Sequence, residues 1–306
     1  MSGVLRYIVE PGFFGSAPAH LALAAGGVAA VVSGILGVFA VMRGQSYAGH
    51  AFADVSVTGG SASFLIGISP IWGFAGTSVL AAGIMDMIGI RRPRGRDLAT
   101  GIVRGAGLGL AALFLYWDTT HGSTTGATIE ILFGSMFVLD PSVLPFVVAL
   151  SLLAAGIAAV LYRPLLLSSL SAELAYARGV PVRLAGVLCL AAIAMAVSLS
   201  SLTIGAILST ALLIGPAATA LRLTSRPGVA IAWSAACGLA ATWLGILLAY
   251  DSYYWPPVRQ GWPVSFFVVA LVFLFYLAAQ VTGSRRGRRR PAPAAVTEPA
   301  PEPAVR

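Results

Sequence analysis

The 306-residue chain contains no lysine; all 19 of its basic residues are arginine. A phosphate-binding loop of the form G-x-x-x-x-G-K-[ST] is therefore excluded, and any ATP that drives the protein is bound by another polypeptide. Charge of either sign is scarce, at 10% of residues against about 25% in soluble domains. Hydrophobic residues make up 58% of the chain and mean hydropathy is +0.89, the composition of an integral membrane protein. Cysteine is nearly absent: Cys189 and Cys237 lie in apolar segments without paired spacing. They read as small core residues rather than a disulfide or a metal clip. A net charge of +8 would suit nucleic acid, but the arginines cluster beside apolar spans, where they set orientation instead. Nucleic acid is not an expected partner.

Crossing about 30 Å of hydrocarbon takes roughly 17–25 apolar residues. Nine stretches qualify: 16–42, 51–69, 71–90, 98–117, 142–162, 184–200, 202–222, 228–250 and 263–282. The expected fold is an all-α polytopic membrane protein of about nine transmembrane helices. With nine spans, Arg43, the 91–96 loop, Arg163, Arg178, Arg183, Arg222, Arg226 and the Arg285–Arg290 cluster fall on one side. The other side holds Asp118, His121, Glu130, Asp140 and Asp251, with Arg259 its single arginine. The positive-inside rule then puts the N-terminus outside and the C-terminus in the cytoplasm.

Residues 1–15 read as an extracytoplasmic segment without a cleavable signal, and 16–283 as the transmembrane domain. Residues 284–306, arginine-rich and then rich in Pro, Ala and Glu, read as a disordered cytoplasmic tail able to touch anionic lipid. Steps such as Gly105-Ala-Gly107-Leu-Gly109 suggest close helix packing. Residues 129–139 are too short to span, so they lie at the interface or enter partway.

The second span is the least hydrophobic, carrying Asp54, Ser56, Thr58, Ser61 and Ser63. At its start, His50 and Asp54 stand four residues apart, which stacks both side chains on one helix face. A charge at the bilayer centre costs roughly 2.5–3.5 kcal/mol, so such groups face a pathway or a partner. Imidazole and carboxylate together suit a divalent transition metal. The alternative is a hydrogen-bonded pair that ties this helix to its neighbour. Asp251, among Tyr253, Tyr254 and Trp255 at an outer helix end, is a further candidate to receive an ion, against a solvated loop carboxylate. Asp86 reads as an ion-pair partner for Arg91 and Arg92. His121 with Asp118 is a minor metal candidate in an outer loop, and His20 caps the first span or lines its mouth.

Between two spans lies Ser171-Ala-Glu-Leu-Ala-Tyr-Ala-Arg-Gly-Val-Pro181. Ser171 is a candidate N-cap, Gly179 a C-terminal stop, and Pro181 begins the next element. The pattern predicts a helix of about two turns along the cytoplasmic surface. It is either a lever for a partner or a simple connector.

This segment resembles the "D-P-E-L-A-x-A-x-G-[LV]-P" coupling stretch of the membrane-spanning subunit of bacterial zinc/manganese-type ABC importers. Ile204-Gly-Ala-Ile-Leu-Ser-Thr-Ala-Leu-Leu-Ile-Gly-Pro216-Ala-Ala-Thr219-Ala resembles that family's "V-G-A-x-L-x-x-A-L-L-x-x-P-A-A-T-A" span. Leu132-Phe-Gly-Ser135 with Asp140-Pro-Ser resembles its "L-F-G-x-I" stretch. The likeness runs in order over about residues 20–280. It departs at the second span, where the family has "R-x-x-x-x-x-G-D-A-x-S-H-A-x-x-P-G". Arg43, Gly49 and Gly59 match, but His50 stands where Asp is usual, Asp54 where His is usual, and Thr58 replaces the proline.

The resemblance implies a permease in the bacterial cytoplasmic membrane that imports zinc or manganese, with iron possible, and binds no permanent cofactor. It implies a homodimer, separate ATPase subunits docking on Ser171, Glu173, Leu174, Ala175, Arg178, Gly179 and Pro181, and an extracytoplasmic metal-binding protein. Gly205, Pro216 and Thr219 fall on its pathway helix, and the chain itself is not an enzyme. Two alternatives stay open: a proton-coupled metal carrier using Asp54 and Asp86 without an ATPase, and an ABC permease for a metal chelate.

Overall fold

The computed structural model describes residues 12–89, 93–121, 131–134, 136–137, 139–255 and 261–287. Among these, every regular element is a helix. The long helices are α1 (Ala17–Met42), α2 (Ser46–Ile66), α3 (Pro70–Gly89), α4 (Pro93–His121) and α5 (Leu144–Val160). Two short helices, α6 (Tyr162–Leu170) and α7 (Ala172–Ala177), precede α8 (Val182–Ile204), α9 (Ala206–Leu223), α10 (Pro227–Ser252) and α11 (Val264–Gly287). Six stretches among the described residues are long and apolar enough to cross a membrane: 17–42, 100–120, 141–160, 182–204, 227–252 and 264–282. The three long helices outside that set are α2, α3 and α9. Serine and threonine dilute α2, and the apolar run of α9 covers only Ser209–Leu223.

The expected segment boundaries shift in several places, with α4 running over Pro93–His121 rather than 98–117 and α8 reaching Ile204 rather than 200. Helix α2 starts at Ser46 rather than 51, and α11 continues past 283 to Gly287. The N-terminal residues 1–11, the Arg91–Arg92 pair, most of the 118–128 loop and the tail beyond 287 lie outside the described residues.

Helices α1 and α8 form the centre of the bundle and are the most enclosed of the apolar spans. Lipid offers no hydrophobic drive for helix association, so small residues that let backbones approach carry the packing. A side chain at Gly34 would strike the backbone of Ala235 in α10, and one at Gly37 the carbonyl of Leu213 in α9. Hydroxyls add sparse polar links across this core. The Ser33 and Ser200 hydroxyls sit 2.7 Å apart, and Ser234 Oγ donates to the Gly34 carbonyl at 2.8 Å. Helices α2 and α3 cross backbone to backbone at Gly59 and Gly73, each lying over the other's carbonyl.

The glycine run of α4 is only partly used this way. Gly107 lies against Val55 of α2, whereas Gly105 and Gly109 face open space. Helix α4 is accordingly a peripheral element that leans on α2 along one edge.

The segment 131–137 enters the interior. Ile131 and Met136 are buried, and Gly134 meets the main chain at Thr203 to Gly205, where α8 ends and α9 begins. Both glycines have positive φ, +81° at Gly134 and +97° at Gly205, which an L side chain rarely adopts. The helix break and the entering segment thus fit each other main chain to main chain.

Candidate functional site

Helix α2 starts just after Arg43, which closes α1, and Gly44, whose φ of +64° turns the chain. At 1.5 Å per residue, His50 lies about 6 Å and Asp54 about 12 Å from the start of α2. Both are half-buried, and the flanking Gly49 lies against Leu213 of α9. The pair therefore belongs to the Arg43 end of the bundle rather than to its opposite mouth.

The hydroxyls that make α2 the least apolar span are occupied by the fold. Ser56 donates to the Ala53 carbonyl, Ser61 to Val57, Ser63 to Gly59, and Thr58 across to Gly107 of α4 at 2.7 Å. They satisfy themselves on main-chain carbonyls. His50 and Asp54 are the side chains of α2 whose chemistry suits a metal ion.

Asp54 has a partner that the sequence reading missed. Arg104, on α4, donates from Nε to Asp54 Oδ2 at 2.6 Å, with the two side chains 37% and 20% exposed. Its guanidinium carbon also stands 5.9 Å from the centroid of the Tyr47 ring, within cation–π range. The overlooked signal was plain: Arg104 is a lone arginine six residues into the span expected over 98–117. An ionisable residue there asks for a partner.

The remaining carboxylates are placed differently from expectation. Asp251 is not a solvated loop group: α10 extends to Ser252, and Asp251 is 1% exposed. Its neighbour Tyr250 packs on Phe13, ahead of α1, with ring centroids 5.2 Å apart. That end of the bundle is the one opposite Arg43, so Asp251 does not join His50 and Asp54. Asp86 pairs with Arg183 of α8 at 3.4 Å. Asp118 lies buried on α4 rather than in a loop, and His20 is exposed on the first turn of α1. Among the described residues, no group of three or more His, Cys, Asp or Glu side chains could hold a metal. His50 and Asp54 are thus a two-ligand set.

The segment at 171–181 folds locally as its residues dictate. Ser171 Oγ accepts from the Leu174 N–H at 3.2 Å, capping α7, and Glu173 sits in the first turn. At the other end, the Gly179 N–H donates to Tyr176 and the Val180 N–H to Ala175, closing a Schellman motif around a glycine at φ +73°. Ala175 is fully buried, whereas Glu173, Leu174, Tyr176, Arg178 and Pro181 are exposed. Helix α6 connects this element to the site helix: Leu165 is buried, Tyr162 packs edge-on against Phe39, and Arg43 bonds Ser168.

On the third expected segment, Gly205 forms the break before α9, and Pro216 is buried inside α9 near Gly238 of α10. Thr219 is buried too and donates to the Gly215 carbonyl at 2.8 Å. A cleft of about 360 Å³ opens between the far end of α2, the start of α3 and the entering segment. Phe64, Ser69, Phe74, Ile131 and Asp140 are among its walls. The Ser142 N–H donates to Asp140 and holds its carboxyl below the usual value.

The model of the ABC 3 transport family matches residues 19–280. The chain is 29% identical over 233 residues to "Manganese transport system membrane protein MntC" of Halalkalibacterium halodurans, covering 75% of this chain and 78% of that one. It is 24% identical over 262 residues to "High-affinity zinc uptake system membrane protein ZnuB" of Haemophilus influenzae, covering 84% and 95%. Among solved structures, "PsaBC from Streptococcus pneumoniae in complex with Fab" superposes with a TM-score of 0.75 at 25% identity, over 90% of this chain and 95% of the matched one. The match runs through the helix bundle and the capped α7 alike, and the chain therefore belongs to the ABC 3 transport family, as a multi-pass membrane permease whose ATPase is a separate protein.

Proposed function

We propose that this permease imports a divalent transition metal ion, manganese or zinc, into the cytoplasm. The observation that carries this reading is the His50 and Asp54 pair, one turn apart on α2 inside an otherwise apolar bundle. Imidazole nitrogen and carboxylate oxygen are ligands that both metals accept, and geometry rather than raw affinity separates them. Two ligands make a weak site, which suits a carrier that must release its cargo. Relatives bearing manganese and zinc transport names support the same class of cargo.

In this reading the nine long helices all cross the membrane, the N-terminus is outside, and the Arg43 end is cytoplasmic. Two copies form the core, an extracytoplasmic binding protein delivers the ion, and ATPase subunits dock on the exposed rim of α7. Ser171 and Gly179 shape that rim, while Glu173, Leu174, Arg178 and Pro181 present it. Gly205 sets the start of α9 and Pro216 and Thr219 lie buried within it, while Leu213 of α9 meets the site helix at Gly49; Asp251 plays no part in holding the ion. Membership of a family with a separate ATPase sets aside the proton-coupled carrier.

The test is metal content of metal-starved cells carrying the permease with its ATPase and binding protein, wild type against His50→Ala. Selective accumulation of one metal, lost in the variant, is the expected result. Unchanged metal content in cells that demonstrably contain all three proteins sinks the free-ion reading and leaves the chelate permease.

A further inference from the structure

Arg104 is the one feature of the site that a cation carrier should not need. A divalent ion approaching Asp54 meets a guanidinium already in hydrogen-bond contact with that carboxylate. The charge of Asp54 is cancelled at short range, and His50 adds none while neutral. Arg104 also sits on α4, a peripheral helix held to α2 along one edge, so nothing in the core demands a charge at this position.

The geometry gives this arginine a second seat. Its guanidinium is already 5.9 Å from the Tyr47 ring, two helical turns from Asp54 along α2. A charge leaving the carboxylate can therefore remain on the aromatic face without entering lipid unpartnered. The side chain is 37% exposed, which leaves it free to move between the two. Tyr47, His50 and Asp54 follow one another at i, i+3 and i+7, the spacing of a single helix face.

We propose that Arg104 is a tethered counter-cation that competes with the transported metal for Asp54, moving onto Tyr47 when the ion binds and returning to expel it. The inference rests on the proposed cargo and adds a specificity-determining residue to it. In the resting site Arg104 blocks monovalent ions, which bind a carboxylate too weakly to displace a guanidinium that is both charged and hydrogen-bonded. A divalent ion that also takes the His50 imidazole can displace it. When the ion leaves, the returning guanidinium restores a neutral site and prevents rebinding.

The test is Mn²⁺ and Zn²⁺ binding by the purified permease–ATPase complex, and uptake by the same complex in lipid vesicles supplied with its metal-binding protein, wild type against Arg104→Leu, Arg104→Lys and Tyr47→Ala. Leucine suits a peripheral membrane helix, and helix content read by circular dichroism establishes that each variant is folded. Arg104→Leu is expected to bind metal about tenfold more tightly, since a competing unit charge is gone from the ligand. Its KM for uptake falls while its maximal rate also falls, because release slows. Arg104→Lys, with a point charge in place of the planar fork, moves both values back toward wild type. Tyr47→Ala, lacking the second seat, binds metal more weakly than wild type.

Unchanged or weaker binding by a folded Arg104→Leu, in a wild-type complex that does transport metal, overturns the inference and makes Arg104 a structural brace. Absence of metal binding and uptake by every protein, wild type included, overturns the proposed cargo and the inference with it. A drop in rate without any change in KM overturns the competition and leaves only an effect on packing.

Discussion

The guanidinium of Arg43 donates from Nη1 to the Ser168 hydroxyl at 2.7 Å, tying the turn that starts the site helix to the short helix that precedes α7. His50 follows Arg43 by seven residues, and Ser171 follows Ser168 by three. In the proposed cycle this side chain is the route from α7 to α2, with Tyr162 on Phe39 as the apolar part of the same joint.

Arg43→Ala should separate the two halves of the machine. The expected outcome is ATP hydrolysis by the assembled complex near its wild-type rate with metal uptake several-fold lower. Hydrolysis and uptake measured on one vesicle preparation decide it: if both fall in proportion, Arg43 supports assembly and carries no motion.

His50→Ala removes one of the two proposed ligands on the site helix. Uptake of the physiological metal is expected to drop by tenfold or more, about the affinity change that follows loss of a strong interaction worth about 1.4 kcal/mol. His50→Asp keeps a ligand and places a second carboxylate beside Asp54 and Arg104, so it should retain part of the uptake. Equal uptake by wild type and His50→Ala would make His50 a packing residue.

Gly59→Ala drives a methyl group into the Gly73 carbonyl and should cost about 1–3 kcal/mol through overpacking. Gly76→Ala, on the same α3 helix but facing open space, should change stability by less than about 1 kcal/mol. Thermal unfolding in detergent compares the two. Equal shifts would mean that the α2–α3 crossing is looser than the structure has it.

Ser171→Ala and Gly179→Ala remove the two caps of α7. Each should destabilise this short helix by about 1 kcal/mol and weaken docking of the ATPase subunit, without altering metal binding at α2. Affinity for the ATPase, measured by titration of the permease in lipid discs, tests this. Undiminished affinity in both variants would remove α7 from the docking surface.

Much of this was legible in the amino-acid order because apolar runs and punctuation residues act locally. The six most apolar helices lie where hydropathy puts them, and Ser171 and Gly179 cap α7 because a hydroxyl and a glycine suit those two ends wherever they occur. The early start of α2 was hidden, since 46–50 is Ser-Tyr-Ala-Gly-His and a hydropathy window sees only what resembles hydrocarbon. Arg104 was averaged away by Leu108 and Leu110 around it. Asp251 looked solvated beside Tyr253 and Trp255, yet the approach of Phe13, far away in sequence, encloses that helix end. Asp86 was assigned to Arg91 and Arg92, which lie outside the described residues; among those described, the fold supplies Arg183, 97 residues on. Apart from the start of α2, these concern partners distant in sequence, which periodicity and spacing do not encode.

The meeting of Gly134 with Gly205 has a consequence for how such chains vary through descent. Two glycine-bearing bends that share one main-chain surface cannot change length separately, because an inserted residue in either would thrust a side chain or a peptide into the other. Insertions on this side of the molecule are thereby directed away from 131–137 and from the 203–206 junction. The two stretches, some seventy residues apart, limit each other's length.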